Sequence, residues 1–111
     1  MDLVAHLSRQ HRFALETFGP GLRDAALAAH IRKELVEVAE ATDHPHAAEE
    51  WVDVVILASE AALRRLEAAG AEDPAAALAE LLAQKMAANE ARRWPDWRAV
   101  PPGAPVEHVR D

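Results

Sequence analysis

The chain has no cysteine and no tyrosine, and only two phenylalanines and three tryptophans among 111 residues. Without thiols there is no disulfide and no thiolate metal site, so any metal must be held by oxygen or imidazole. With aromatics scarce and alanine abundant, the composition favours helices over sheets. No apolar run approaches the roughly 20 residues that cross a bilayer. The start MDLVAHLSRQ has an acid at position 2 and turns polar by Ser8, unlike the basic start and apolar centre of a signal peptide. A soluble, cytoplasmic protein is expected.

Positive charge is also scarce. Twelve basic residues stand against nineteen acidic ones, a net charge of −7. That argues against a general nucleic-acid binder, because phosphate backbones need a basic footprint. From Glu34 to Leu63 there are eight acids and no Lys or Arg, whereas Lys85, Arg92, Arg93 and Arg98 gather near the C-terminus. One region suits cations and the other suits anions.

A chain of this length forms one domain, residues 1–111, and buries roughly two-thirds of the surface exposed when unfolded. Four helices are predicted. The first spans 3–17 and is stopped by Phe18-Gly19-Pro20-Gly21; the second runs 24–41, with Asp24 as N-cap. Thr42-Asp43-His44-Pro45 breaks the chain and caps the third, which ends at Gly70, a C′ residue. Asp73-Pro74 starts the fourth, which continues to about Arg93, before Pro95. The tail, 99–111, holds Pro101, Pro102 and Pro105 and is read as extended or loosely docked. Short connections make neighbouring helices antiparallel, so the expected fold is an all-α four-helix bundle.

At about 100° per residue the helix faces separate. In the second helix Leu27, Ile31, Leu35 and Val38 form an apolar stripe; Glu34 falls inside it, Glu37 lies on its edge and Glu40 points away. In the fourth, Leu78, Leu81 and Leu82 are continued on the same face by Lys85, Asn89 and Arg92. In the third, Glu50, Asp53, Leu57 and Glu60 share one side, while Trp51, Val52, Val54, Val55, Ile56 and Leu63 cover an arc of about 200°. An arc that wide suggests burial against more than one neighbour, hence a dimer.

Glu34 with Glu37, and Glu50 with Asp53, each place two carboxylates on one helical face. Two such helices side by side would repel unless a divalent cation neutralised them. All-oxygen donors suit Mg²⁺ or Mn²⁺, and Lys85, Asn89 and Arg92 supply what a polyphosphate needs on its other side. Together they suggest phosphoryl or nucleotidyl chemistry. Taken singly, each acid pair reads as a solvated face, and the Lys85 face as an interhelical salt-bridge set. The six histidines are scattered, with only His30 near the acidic face, and Trp94 and Trp97 either stack a base or pack the C-terminal segment. A di-iron carboxylate protein is disfavoured by the absence of Glu-x-x-His pairs.

KELVE at 33–37, followed after twelve residues by EWVD at 50–53, resembles the EExxE and ExxD signature of the MazG-like all-α nucleoside triphosphate pyrophosphohydrolases. TFGPG, HIRKEL, EEWVDVVILA, NEARRWPDWR and EHVR extend the likeness to the dATP/dGTP diphosphohydrolase branch over nearly the whole chain. Lys33 stands where the broader signature has Glu.

The resemblance implies that Glu34, Glu37, Glu50 and Asp53 bind two or more Mg²⁺ or Mn²⁺ ions. Water would attack the α-phosphorus with Glu37 as general base beside Glu34, and Lys85, Asn89 and Arg92 would hold phosphates. Phe13, Phe18, Trp94 and Trp97 are the candidates for contacting the base. It further implies a purine deoxynucleotide substrate, dGTP ahead of dATP, a homo-oligomer built as a dimer or a pair of dimers, and similarity to phage enzymes serving 2-aminoadenine DNA synthesis. Two readings from other classes are a non-catalytic nucleotide or metal sensor and a structural helical oligomerisation module.

Overall fold

Asp2 begins the first helix by accepting the Ala5 N–H at 3.0 Å, satisfying one of the donors left free at a helix start. In the computed structural model, which describes residues 1–110, that helix is α1, Leu3–Phe18. It is followed by α2, Asp24–Glu40, α3, His44–Ala68, and α4, Pro74–Ala91, with a short 3₁₀ turn at Trp97–Ala99. The described residues form no strand. None of the helices is long and apolar enough to cross a membrane.

Local chemistry sets the boundaries. Asp43 accepts the His46 N–H at 2.8 Å and Asp73 the Ala76 N–H at 3.1 Å, so each caps the helix that follows. At the end of α3 the N–H of Ala71 returns to the Leu66 carbonyl and that of Gly70 to Glu67, both at 3.0 Å. This is a Schellman ending, and its left-handed residue is Gly70, at φ +94°. Asp24 departs from expectation. It is not the N-cap of α2, a place taken by Arg23 without a side-chain bond; instead its Oδ2 accepts Arg65 Nε at 3.0 Å and Nη2 at 2.9 Å. The cation on α3 competes successfully for the capping carboxylate.

The chain divides into two compact units, Met1–Ala79 and Glu80–Asp111. In the first, α3 packs along α2 and against α1. Leu7, Leu63, Ala75 and Leu78 form the buried cluster, with Val4, Ala62 and Leu66 against it. The apolar stripe of α2 is shifted from the expected one: Leu27 and Glu34 are buried, Ile31 and Val38 half-buried, and Leu35 is 42% exposed. The inward row follows 27, 31, 34 and 38, which centres a glutamate on the packed face and leaves Leu35 about 100° away. Trp51, Val52, Val55 and Ile56 of α3 are exposed as well, with Val36 of α2.

In the second unit, residues 100–110 run without helix and return to the end of α4, where the Val109 N–H meets the Arg93 carbonyl at 2.8 Å. The Trp94 indole donates to the Asn89 carbonyl at 2.7 Å and meets the His108 ring edge-on at 5.9 Å. Helix α4 ends at Ala91, two residues before the expected Arg93.

Candidate active site

The packing of α3 on α2 carries two acid pairs toward each other. Oxygens of Glu34, Glu50 and Asp53 lie within 4.8 Å of one another. Glu34 is only 7% exposed, Glu50 half-buried and Asp53 exposed, so the group grades from core to solvent. Asp53 thus leaves the apolar arc of α3 on the side that faces Glu34.

Among the described residues, the ion-pair partners of this group are histidines. His30 Nε2 stands 3.2 Å from Glu34 Oε1 and His46 Nε2 3.1 Å from Glu50 Oε1. The other oxygens, Oε2 of Glu34 and Oε2 of Glu50, are buried without a hydrogen-bond partner among the described residues. The Glu34 carboxyl is pushed up to about 7, first by its contact with the Glu50 carboxylate, then by burial, and then by Glu37 and Asp53. Unpartnered buried carboxylate oxygens and mutual repulsion are both relieved by a hard divalent cation, and the donor set is all oxygen. The residues therefore fit Mg²⁺ or Mn²⁺. Glu37 falls outside the convergent group of three but adjoins Glu34, whose protonation it favours.

A cavity of about 260 Å³ opens beside the acids, with Glu34 and Asp53 on its wall. Phe13 and Phe18 line it too, their rings 6.2 Å apart and edge-to-face. Two of the residues considered for base contact therefore share a cavity with two of the carboxylates. Trp94 and Trp97 belong to the second unit, where both are exposed. Lys85, Asn89 and Arg92 also lie there, along the end of α4 and just beyond it; Lys85 is exposed, and Arg92 Nη1 donates to Asn89 Oδ1 at 2.9 Å.

Sequence reading missed one cluster. Glu60 is 5% exposed, and its Oε2 accepts Arg23 Nη1 at 2.6 Å and Arg64 Nε at 2.9 Å. Arg64, only 2% exposed, also donates Nη1 to the carbonyls of Gly19 at 2.7 Å and Gly21 at 2.8 Å, and Nη2 to Ala14 at 3.3 Å. The end of α1 and the turn after it are thereby fastened to α3. The available signal was the row 53, 57, 60, 64, which continues the acidic side of α3 directly into an arginine.

Carboxylates converging from neighbouring helices, within an all-α fold, define a helical carboxylate-site protein. Residues 7–111 match the family model described as dATP/dGTP pyrophosphohydrolase, and the chain belongs to that family. Its class of activity is thus hydrolysis of nucleoside triphosphates. Comparisons with curated proteins and with solved structures give no match.

Proposed function

We propose that the protein is a Mg²⁺- or Mn²⁺-dependent pyrophosphohydrolase that converts purine deoxynucleoside triphosphates, dGTP ahead of dATP, to the monophosphate and pyrophosphate. The observation that carries this reading is the meeting of Glu34, Glu50 and Asp53, two of them with unpartnered buried oxygens, beside a cavity lined by Glu34 and Asp53 together with Phe13 and Phe18. Two or more ions would be held by Glu34, Glu50 and Asp53, with Glu37 adjoining. When bound, they neutralise the carboxylates and withdraw charge from the triphosphate.

The side chains divide the remaining work. Glu37, outside the convergent three, accepts a proton from the attacking water as its oxygen bonds to the α-phosphorus. The bond from that phosphorus to the bridging oxygen breaks, and pyrophosphate leaves with the electron pair. Lys85, Asn89 and Arg92 bind phosphate oxygens and offset the charge of the leaving group. Phe13 and Phe18 offer apolar surface to the base, with Trp94 and Trp97 as further candidates.

The exposed apolar residues of α2 and α3, Leu35, Val36, Trp51, Val52, Val55 and Ile56, support a homo-oligomer, a dimer or a dimer of dimers, because a monomer would leave them in water. The cytoplasm, a host's if the gene is a phage's, is the compartment this substrate suits. Conversion of dGTP to dGMP also fits a role in making phage 2-aminoadenine DNA.

Chromatographic product analysis with each common dNTP and NTP tests the reaction. Monophosphate and pyrophosphate are expected from dGTP and dATP, with no product in chelator. Binding of Mg²⁺-nucleotide without product would instead favour a sensor.

A further inference from the structure

The cavity that begins at the acidic group also reaches a carboxylate of a different kind. Glu60 lies two turns beyond Asp53 on α3, about 10 Å along the axis at ~1.5 Å per residue. That separation suits the sugar and base of a nucleotide whose phosphates lie at Asp53. Whereas Glu34 and Glu50 have unpartnered buried oxygens, Glu60 has one oxygen doubly bound by Arg23 and Arg64. Its Oε1 accepts no hydrogen bond among the described residues and is the oxygen left for a ligand.

The carboxylate is also held in place. Arg64 is anchored by the carbonyls of Ala14, Gly19 and Gly21, and Arg23 lies over the Phe18 ring, 4.7 Å from its centre. Gln10, on the same cavity, donates its amide N–H to the Ile56 carbonyl at 2.7 Å, which leaves its Oε1 as an acceptor. Ile56 and Glu60 are one turn apart on α3, so the two acceptors belong to the same part of the wall. Glu60, as a carboxylate, can only accept, whereas Gln10 keeps both its Oε1 acceptor and a second amide N–H.

An ionised carboxylate on the cavity wall favours a base edge that donates to it. Guanine presents N1–H beside its 2-amino group, whereas adenine presents an N1 lone pair that a carboxylate repels. We propose that Glu60 is the specificity-determining residue that selects guanine, its Oε1 accepting N1–H with the 2-amino group alongside, while the base rests against Phe13 and Phe18. This rests on the cavity being the nucleotide site. Glu60 then differs in role from the acids of the metal group, although it shares their side of α3.

The test compares kcat/KM for dGTP, dITP, 2-aminoadenine deoxynucleoside triphosphate and dATP, on the native protein and on Glu60→Gln. For the native protein dGTP should lead, and the 2-aminoadenine compound, of nearly the same shape but with a lone pair at N1, should fall about 100-fold or more below it. In Glu60→Gln, with folding checked by thermal melting, the preference for dGTP over dATP should drop at least tenfold. Equal turnover of dGTP and the 2-aminoadenine compound by the native protein would overturn the proposal, as would a folded variant with unchanged preference. If Glu60→Gln does not fold, the native protein's order of substrates still decides. Should no triphosphate be hydrolysed, the hydrolase reading fails by itself, and calorimetric binding of the same compounds with Mg²⁺ decides on Glu60: tighter dGTP supports it and equal affinity overturns it.

Discussion

Glu34 on α2 and Glu50 on α3 bring their carboxylates together across the contact between the two helices, and Glu34 holds its proton up to about pH 7 as a result. The sign of the consequence is fixed. Between its ordinary value of 4.5 and about 7 the folded state binds more protons at Glu34 than the unfolded chain, so stability falls as pH rises through that window. In chelator, the melting temperature should decline from pH 4.5 toward pH 7 through this group. Glu34→Gln should flatten that decline; an unchanged slope in the variant would assign the pH dependence elsewhere.

Arg64 should be among the most costly residues to truncate. Arg64→Met removes the donor to three backbone carbonyls and one of the two partners of a buried Glu60. Loss of one partner from a buried ion pair costs about 3–5 kcal/mol. Urea denaturation should show a loss of that order, while Arg65→Met, which removes an exposed pair with Asp24, should cost under about 1 kcal/mol.

The phosphate-binding proposal is kinetic. Lys85→Ala and Arg92→Ala should each lower kcat/KM for dGTP by about 10- to 100-fold, the worth of a hydrogen bond from a charged donor. Their melting temperatures should stay near the native value, because Lys85 and Arg92 are exposed. Unaltered kinetics would leave them a structural or solvated role.

Much of this architecture is legible in the sequence because its signals are local. Asp43, Asp73 and Gly70 mark helix ends through bonds to backbone within a few positions, and helical periodicity alone singles out Glu34. Reading failed where partners come from far along the chain. Asp24 looks like a cap until Arg65, forty-one residues on, takes its carboxylate. Arg64 looks like any surface arginine until its bonds to Gly19 and Gly21, more than forty residues back, are seen. The acid pairs are legible because each is three residues apart, but that only Glu34, Glu50 and Asp53 converge depends on how α2 meets α3.

The exposed apolar face makes a separate claim. Val55 is 60% exposed in the middle of a helix that also exposes Trp51 and Val52. Val55→Glu should shift the protein toward monomer in sedimentation experiments and lower its melting temperature. A native protein that sediments as a monomer at micromolar concentration would remove the oligomer from the account.

The measurement that bears most directly on the acidic centre is Mn²⁺ titration by calorimetry, paired with dGTP turnover, for the native protein, Glu50→Gln and Asp53→Asn. The account predicts saturable binding and turnover in the native protein, loss of both in each variant, and variants that melt no lower than the native protein in chelator because repulsion is relieved. Near-native Mn²⁺ binding and turnover in Glu50→Gln and Asp53→Asn would contradict it.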